Sequence, residues 1–283
     1  MEEFKVKTRY IRNGFRADME MEKIYDHQEA GNIFDIIHED VFNSIPEFSE
    51  ADVDRLSEII ERLKKHEPIQ YILGEADFYS LKFKVTPDVL IPRPETEELV
   101  NAVIQEIRKS GNQKSEILDI GTGSGCIPIT LKKNLPDVQV TSIDVSQKAL
   151  LVAEENAERN ETEIYFIRHD FLEEQLWNEF GSYDIIVSNP PYITKTEFNA
   201  LDKKVKEFEP QTALIAPRTD PFIFYRKIAV FAQTHLNSNG RIFLELNAAH
   251  ADEISQIFSQ AGFNTAVLKD LQGKNRMLKA FVN

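Results

Sequence analysis

The chain has 283 residues, 42% of them hydrophobic and 28% charged, which is enough for one large domain beside a small one. No stretch approaches the ~18 apolar residues of a membrane span, and the opening MEEFKVKTRY has no apolar signal core, so a cytoplasmic location is expected. A formal charge of −14 opposes unspecific attraction to nucleic-acid phosphates, the single Cys126 excludes an internal disulfide or a cysteine-based zinc cluster, and six scattered histidines offer no ligand pair at helical spacing, so no metal is expected.

Up to about residue 67 the pattern is helical. Weak helical pieces cover 18–31 and 33–43. In SEADVDRLSEIIERLKKHEP, Ser49 and Asp52 form a capping-box-like start. Val53, Leu56, Ile59, Ile60 and Leu63 then share one face, and Pro68 stops the helix. Residues 1–80 hold 19 acidic against 10 basic residues, a net of −9, and residues 81–283 hold 28 against 23. The acidic first part is a poor phosphate binder and a better candidate for meeting a basic or mixed protein surface. We therefore expect a helical recognition domain over 1–70. Alternation at Leu81, Phe83 and Val85 predicts a hairpin linker over 71–94.

From residue 95 to 283 helices and strands alternate. Helix 95–110 precedes strand EILDIG, a glycine-rich turn and a helix. Strand VQVTSID, helix 146–160, strand EIYFIRHD and strand YDIIVSNPPY follow. After them come helix 221–236, strand RIFLEL, a helix over 248–260, and strands near 263–269 and 276–282. Such alternation implies an α/β domain with a mainly parallel sheet covered on both faces, with ligands beyond the C-terminal strand ends.

In LDIGTGSGCIPIT, three of the eleven glycines (Gly121, Gly123, Gly125) fall at one strand end, interleaved with Thr122 and Ser124. Glycine there lets the backbone turn sharply and approach a ligand. A dinucleotide fingerprint needs glycine at 126, where the chain has Cys126, so pyrophosphate recognition fits poorly. Asp119, just before the turn, suits a ligand bearing a cation. Asp144 ends the next strand, where a carboxylate can accept both hydroxyls of a ribose, and Asp170 with Phe171 ends the third, an amine acceptor beside an aromatic wall. Singly, these acids read as helix caps or turn residues. Together, at successive strand ends, they suit a nucleoside without pyrophosphate, such as S-adenosylmethionine. Cys126 reads as a small core residue, and the acidic run 154–163 as a solvated helix face.

The stretch IIVSNPPYITKTE, 185–197, ends a fourth strand with Asn189, Pro190, Pro191 and Tyr192. The prolines cannot continue a ladder and hold one stiff shape. Methyl transfer from a sulfonium needs a desolvated nucleophile at the right distance more than it needs a base. A carboxamide nitrogen carries two N–H donors that want acceptors once buried. Asn189 Oδ1 and the Pro190 carbonyl can each take one, and Tyr192 can stack on the flat amide.

NPPY together with DIGTGSG resembles the amino-methyltransferases that act on planar conjugated NH2 groups. EPIQYILGEADFYSLKFKV (67–85), LIPRPETEELV (90–100), FEPQTALIA (208–216) and LKDLQGKNRMLKAFV narrow the resemblance to the bacterial peptide chain release factor N5-glutamine methyltransferases, over about residues 50–283. The resemblance implies a seven-stranded, Rossmann-like methyltransferase sheet with its last strand antiparallel, and a small helical N-terminal domain that grips a class I release factor. It implies transfer to the glutamine of a Gly-Gly-Gln loop; a monomer is expected, and the charge and the lack of an apolar span predict no direct nucleic-acid or membrane binding. By it, Gly121 to Gly125, Asp144 and Phe171 bind S-adenosylmethionine, Asn189 to Tyr192 hold the glutamine, and Arg93, Pro94 and Thr96 form a lid near the cofactor.

The chain departs from that pattern at Phe171, at Pro221 and in ELNAAH (245–250), and its first 45 residues carry no resemblance. Three rival readings remain: a glutamine methyltransferase of a ribosomal protein, an adenine N6-methyltransferase, which wants a basic groove this acidic chain does not advertise, and a silent S-adenosylmethionine-binding module, against which NPPY argues.

Overall fold

A computed structural model of the chain describes residues 5–21, 23–217 and 220–282. It divides into two compact units, one running to Gly74 and taking in Asp202–Phe208, the other holding Glu75–Leu201 and the chain from Glu209.

In the first unit, β1 (Val6–Lys7) and β2 (Glu47–Phe48) pair antiparallel beside α1 (Thr8–Met21), α2 (His27–Asp40), α3 (Glu50–Lys64) and α4 (Ile69–Leu73). Around Phe34, Phe15, Met19, Ile37, Phe48, Leu56 and Leu63 build the core. The predicted helices 18–31 and 33–43 are wrong in their bounds. The chain breaks between α1 and α2, where the Asp26 side chain accepts from the backbone N–H of Gln28 and Glu29 and starts a new helix. The predicted start of α3 is present as a full capping box between Ser49 and Asp52. Lys204 brings the late segment into this unit, its Nζ 3.2 Å from Glu29 and 3.8 Å from the centre of the Tyr25 ring.

The second unit opens on the hairpin β3 (Glu75–Phe78) and β4 (Leu81–Lys84), followed by α5 (Pro94–Ser110). Proline at the first helical position, Glu95 and Glu97 in the first turn and Gly111 in the left-handed cap (φ 74°) set the bounds of α5. Next come β5 (Glu116–Ile120), α6 (Cys126–Asn134), β6 (Gln139–Asp144), α7 (Gln147–Arg159), β7 (Tyr165–Arg168) and β8 (Tyr183–Ser188). Three short helices, α8 (Lys195–Ala200), α9 (Lys203–Phe208, within the first unit) and α10 (Gln211–Leu214), were not foreseen. After them the chain forms α11 (Ile223–His235), β9 (Leu236–Glu245), α12 (Ala251–Gln260), β10 (Asn264–Lys269) and β11 (Asn275–Phe281).

The expected seven-stranded sheet is there, in the order β10-β11-β9-β8-β5-β6-β7, with β11 alone running against its neighbours. Strands β5 and β8 and the second half of β9 are buried on both sides because both faces of the sheet are covered. Alternate residues of one strand go to opposite cores: Leu118, Ile120, Ile186 and Leu244 pack under α11 and α12, while Ile117, Ile185, Val187 and Phe243 pack with α5 and α6. Strands β5 and β8 are neighbours, Ile120 beside Ser188, so the glycine turn and the NPPY stretch leave the sheet side by side.

Candidate active site

After β5 the backbone turns through Gly121 (φ 81°), Gly123 (φ 53°) and Gly125 (φ 81°), a left-handed run that side chains resist. A Cβ at Gly121 or Gly123 would meet nothing within 4 Å, so the reason for glycine there is the dihedral, not crowding. At Gly125 a Cβ would stand 2.9 Å from Ile129 Cδ1 and 3.1 Å from Ala153 Cβ, so this glycine also lets α6 and α7 close.

Asp144, at the end of β6, ties the turn down. Its Oδ2 accepts from the Gly123 N–H at 3.0 Å and its Oδ1 from the Ser146 N–H at 2.9 Å. Burial pushes its carboxyl up, and these N–H groups oppose the shift. Asp119 is fully buried. Ser142 Oγ lies 2.6 Å from Asp119 Oδ2 and 2.5 Å from Thr122 Oγ1; with one proton, it donates to the carboxyl and accepts from Thr122. Asp119 Oδ1 and Ser124 Oγ are buried with no partner among the described residues. Burial pushes the Asp119 carboxyl up to about 7, against the Ser142 and Thr122 hydroxyls.

One cleft gathers Gly121, Gly123, Asp144, Asp170, Phe171, Asn189, Pro190 and Pro191. Asp119, Thr122, Ser124 and Gly125 do not line it; they form the layer behind. Asp170 is exposed, its Oδ1 capping the Leu172 N–H. Phe171 belongs first to the core: its ring stacks on Trp177 with centroids 5.3 Å apart. Sequence reasoning gave no site role to other parts of the wall, among them Asp88, Val89 and Leu90 after the hairpin, and Thr212, Ala213 and Phe224 from α10 and α11. Their residue types carry no signal; Thr194 and Glu197, a full capping box at α8, are a signal that could have announced the helix after NPPY.

At the end of β8, Asn189 Nδ2 donates to Thr96 Oγ1 at 3.2 Å, and Thr96 Oγ1 donates to Glu245 Oε2 at 2.7 Å. Tyr192 does not line the cleft; its phenol donates to Glu245 Oε1 at 3.3 Å. Burial pushes the Glu245 carboxyl up, opposed by the Thr96 hydroxyl and Arg276, and burial beside Glu245 raises the Tyr192 phenol above its ordinary range. The implied lid needs correction: Thr96 is 2% exposed in the first turn of α5, and a buried hydroxyl bonded on both sides is fixed. Arg93, just ahead, donates to both oxygens of buried Glu209 at 2.6 and 2.7 Å, joining IPRPETE to FEPQTALIA.

The matched family models are the methyltransferase small domain, over residues 97–207, and the PrmC N-terminal domain, over residues 42–74. The chain is 46% identical to a release factor glutamine methyltransferase of Flavobacterium psychrophilum over 78% of both chains. It is 43% identical to that of Bacteroides thetaiotaomicron over 80% of both. The chain belongs to the release factor glutamine methyltransferase family. A methyltransferase structure from Pyrococcus furiosus, 18% identical with a TM-score of 0.50 over 81% of this chain and 97% of that one, shares the fold.

Membership in this family makes the chain an enzyme that draws its methyl group from S-adenosylmethionine. The cleft fits such a ligand. The left-handed turn, open at Gly121 and Gly123, leaves room for a nucleoside beside Asp144 on the cleft wall.

Proposed function

We propose that this chain methylates the side-chain amide nitrogen of the glutamine in the Gly-Gly-Gln loop of a class I release factor, in the cytoplasm and as a monomer. The observation that carries this reading is the state of Asn189. Its Nδ2 is engaged by Thr96 while its Oδ1, on the cleft wall, has no hydrogen-bond partner among the described residues.

Gly121, Gly123, Asp144, Asp170 and Phe171 hold S-adenosylmethionine in this reading, with Asp119, Thr122, Ser124 and Gly125 supporting the turn from behind. When bound, that molecule supplies a methyl group as a carbon electrophile on a sulfonium. Asn189 Oδ1 and the Pro190 carbonyl accept the two N–H groups of the incoming amide and fix its plane, and stiff Pro191 keeps both acceptors in place. As the nitrogen–carbon bond forms, the methyl carbon–sulfur bond would break with its electron pair left on sulfur as a neutral thioether, and one amide proton would pass to solvent water. Tyr192, outside the cleft, holds Glu245 in the network behind Asn189.

The helical first unit, with its acidic surplus, recognises the factor away from the loop and raises the local concentration of the glutamine. The test incubates the protein with labelled S-adenosylmethionine, purified release factors, ribosomal proteins and DNA, and maps the label by mass spectrometry. Label on the loop glutamine is expected; label on a ribosomal protein or on adenine overturns the reading.

A further inference from the structure

Resting on the glutamine reading above, we propose that Thr96 and Glu245 are positioning residues, a relay that fixes which end of the Asn189 amide faces the substrate. A carboxamide is nearly symmetric in shape, and nothing in the backbone of NPPY decides whether its oxygen or its NH2 points into the cleft. Thr96 decides it. Its hydroxyl has one proton, and Glu245 Oε2, 2.7 Å away, accepts it. The same oxygen can then only accept from Asn189, which turns Nδ2 toward Thr96 and leaves Oδ1 for the substrate N–H.

Glu245 is itself held so that it cannot turn away. Tyr192 occupies its other oxygen, and the Tyr225 phenol donates to its backbone carbonyl at 2.9 Å. Thr96 and Glu245 are 2% and 3% exposed and neither lines the cleft, so both act through Asn189. A buried carboxylate is weak evidence for stability, because apolar residues of similar volume often serve as well. The hydrogen-bond direction it imposes is something an apolar residue cannot supply. If the carboxylate is replaced by a group that can donate to Thr96, the Thr96 proton is released toward Asn189. The amide can then turn over and present N–H to N–H.

The test is a double-mutant cycle on the full-length protein with an intact release factor, read as single-turnover methylation beside S-adenosylmethionine affinity and thermal melting. Thr96→Val keeps the shape and removes the hydroxyl; its rate falls about 10- to 100-fold with cofactor affinity and melting little changed. Thr96→Ser restores the rate. In an Asn189→Ala background Thr96→Val costs nothing further, which a merely structural role does not explain. Glu245→Gln gives a loss that likewise vanishes in that background, and it carries the cycle alone if Thr96→Val does not fold. A wild-type rate in Thr96→Val, or an undiminished loss in the Asn189→Ala background, overturns the relay. Failure of the wild-type protein to label any release factor overturns the reading beneath it instead.

Discussion

Two neighbouring strand ends build the cleft by different means. After β5 the shape is made by backbone: three glycines in one short stretch take left-handed dihedrals, helped by Ser142 and Asp144 of the adjacent strand. After β8 the shape is made by side chains from far along the chain, Thr96 being 93 positions from Asn189 and Glu245 53 positions from Tyr192. In the reading proposed above, the first end binds and the second end orients. Loss at the first should appear in cofactor affinity or folding, and loss at the second in rate.

The largest expected effect lies at the second end. Asn189→Ala removes the acceptor that fixes the substrate amide, and single-turnover methylation should fall by about 10²-fold or more, while calorimetric affinity for S-adenosylmethionine barely changes. A parallel loss of cofactor affinity would erase the distinction between the two ends.

Asp119 offers a pH test of the first end. Its folded-state pKa is raised by burial from 3.8 to about 7. The stability it contributes is therefore complete below its unfolded value and is lost as pH rises through about 7, where a charge must be buried. Asp119→Asn does not titrate. Denaturant melts of the unliganded protein should show the variant gaining on wild type between pH 5 and pH 8, by on the order of a few kcal/mol. Parallel pH curves would mean that Asp119 is solvated.

These tests also separate what was legible in the sequence from what was not. The mainly parallel sheet, the glycine turn and the acids after it were readable because a short window holds each signal: apolar runs, left-handed glycines, a strand end followed by a turn; the reversed strand came only from the family resemblance. Thr96 was placed in a lid by the resemblance alone and Glu245 looked like a strand residue, since their meaning arises only where α5, β8 and β9 converge. The break between α1 and α2 was hidden for a different reason. Asp26 is a good cap, but Gly14 and the many charges around Ile11, Phe15 and Met19 blurred the face that defines the helix before it.

Asp144→Ala sharpens the comparison further. In the proposed role its carboxylate holds the ribose hydroxyls as well as the Gly123 N–H. Its loss removes charge-assisted hydrogen bonds at ~1.5–3 kcal/mol, which corresponds to roughly 10- to 100-fold weaker cofactor binding. At saturating cofactor the transfer step should recover most of its wild-type rate. Unchanged calorimetric affinity in a folded Asp144→Ala would remove Asp144 from the binding role.

The smallest expected effect is at Gly125, where the turn meets packing. Alanine there must hold φ near 81°, a left-handed conformation that costs about 1–2 kcal/mol. Its Cβ would also stand 2.9 Å from Ile129 Cδ1, which can swing aside, and 3.3 Å from Ala153 Cα, which cannot without moving α7. The backbone term should dominate, because a flexible side chain relieves the closer contact. Gly125→Ala should lower the unfolding midpoint modestly. It should weaken cofactor binding only as far as the turn shifts, and leave the Asn189 network, and hence the rate at saturating cofactor, near wild type. If the rate at saturation fell as far as it does in Asn189→Ala, the β5 turn would be orienting the substrate as well as the cofactor, and the two strand ends would have to be treated as one device.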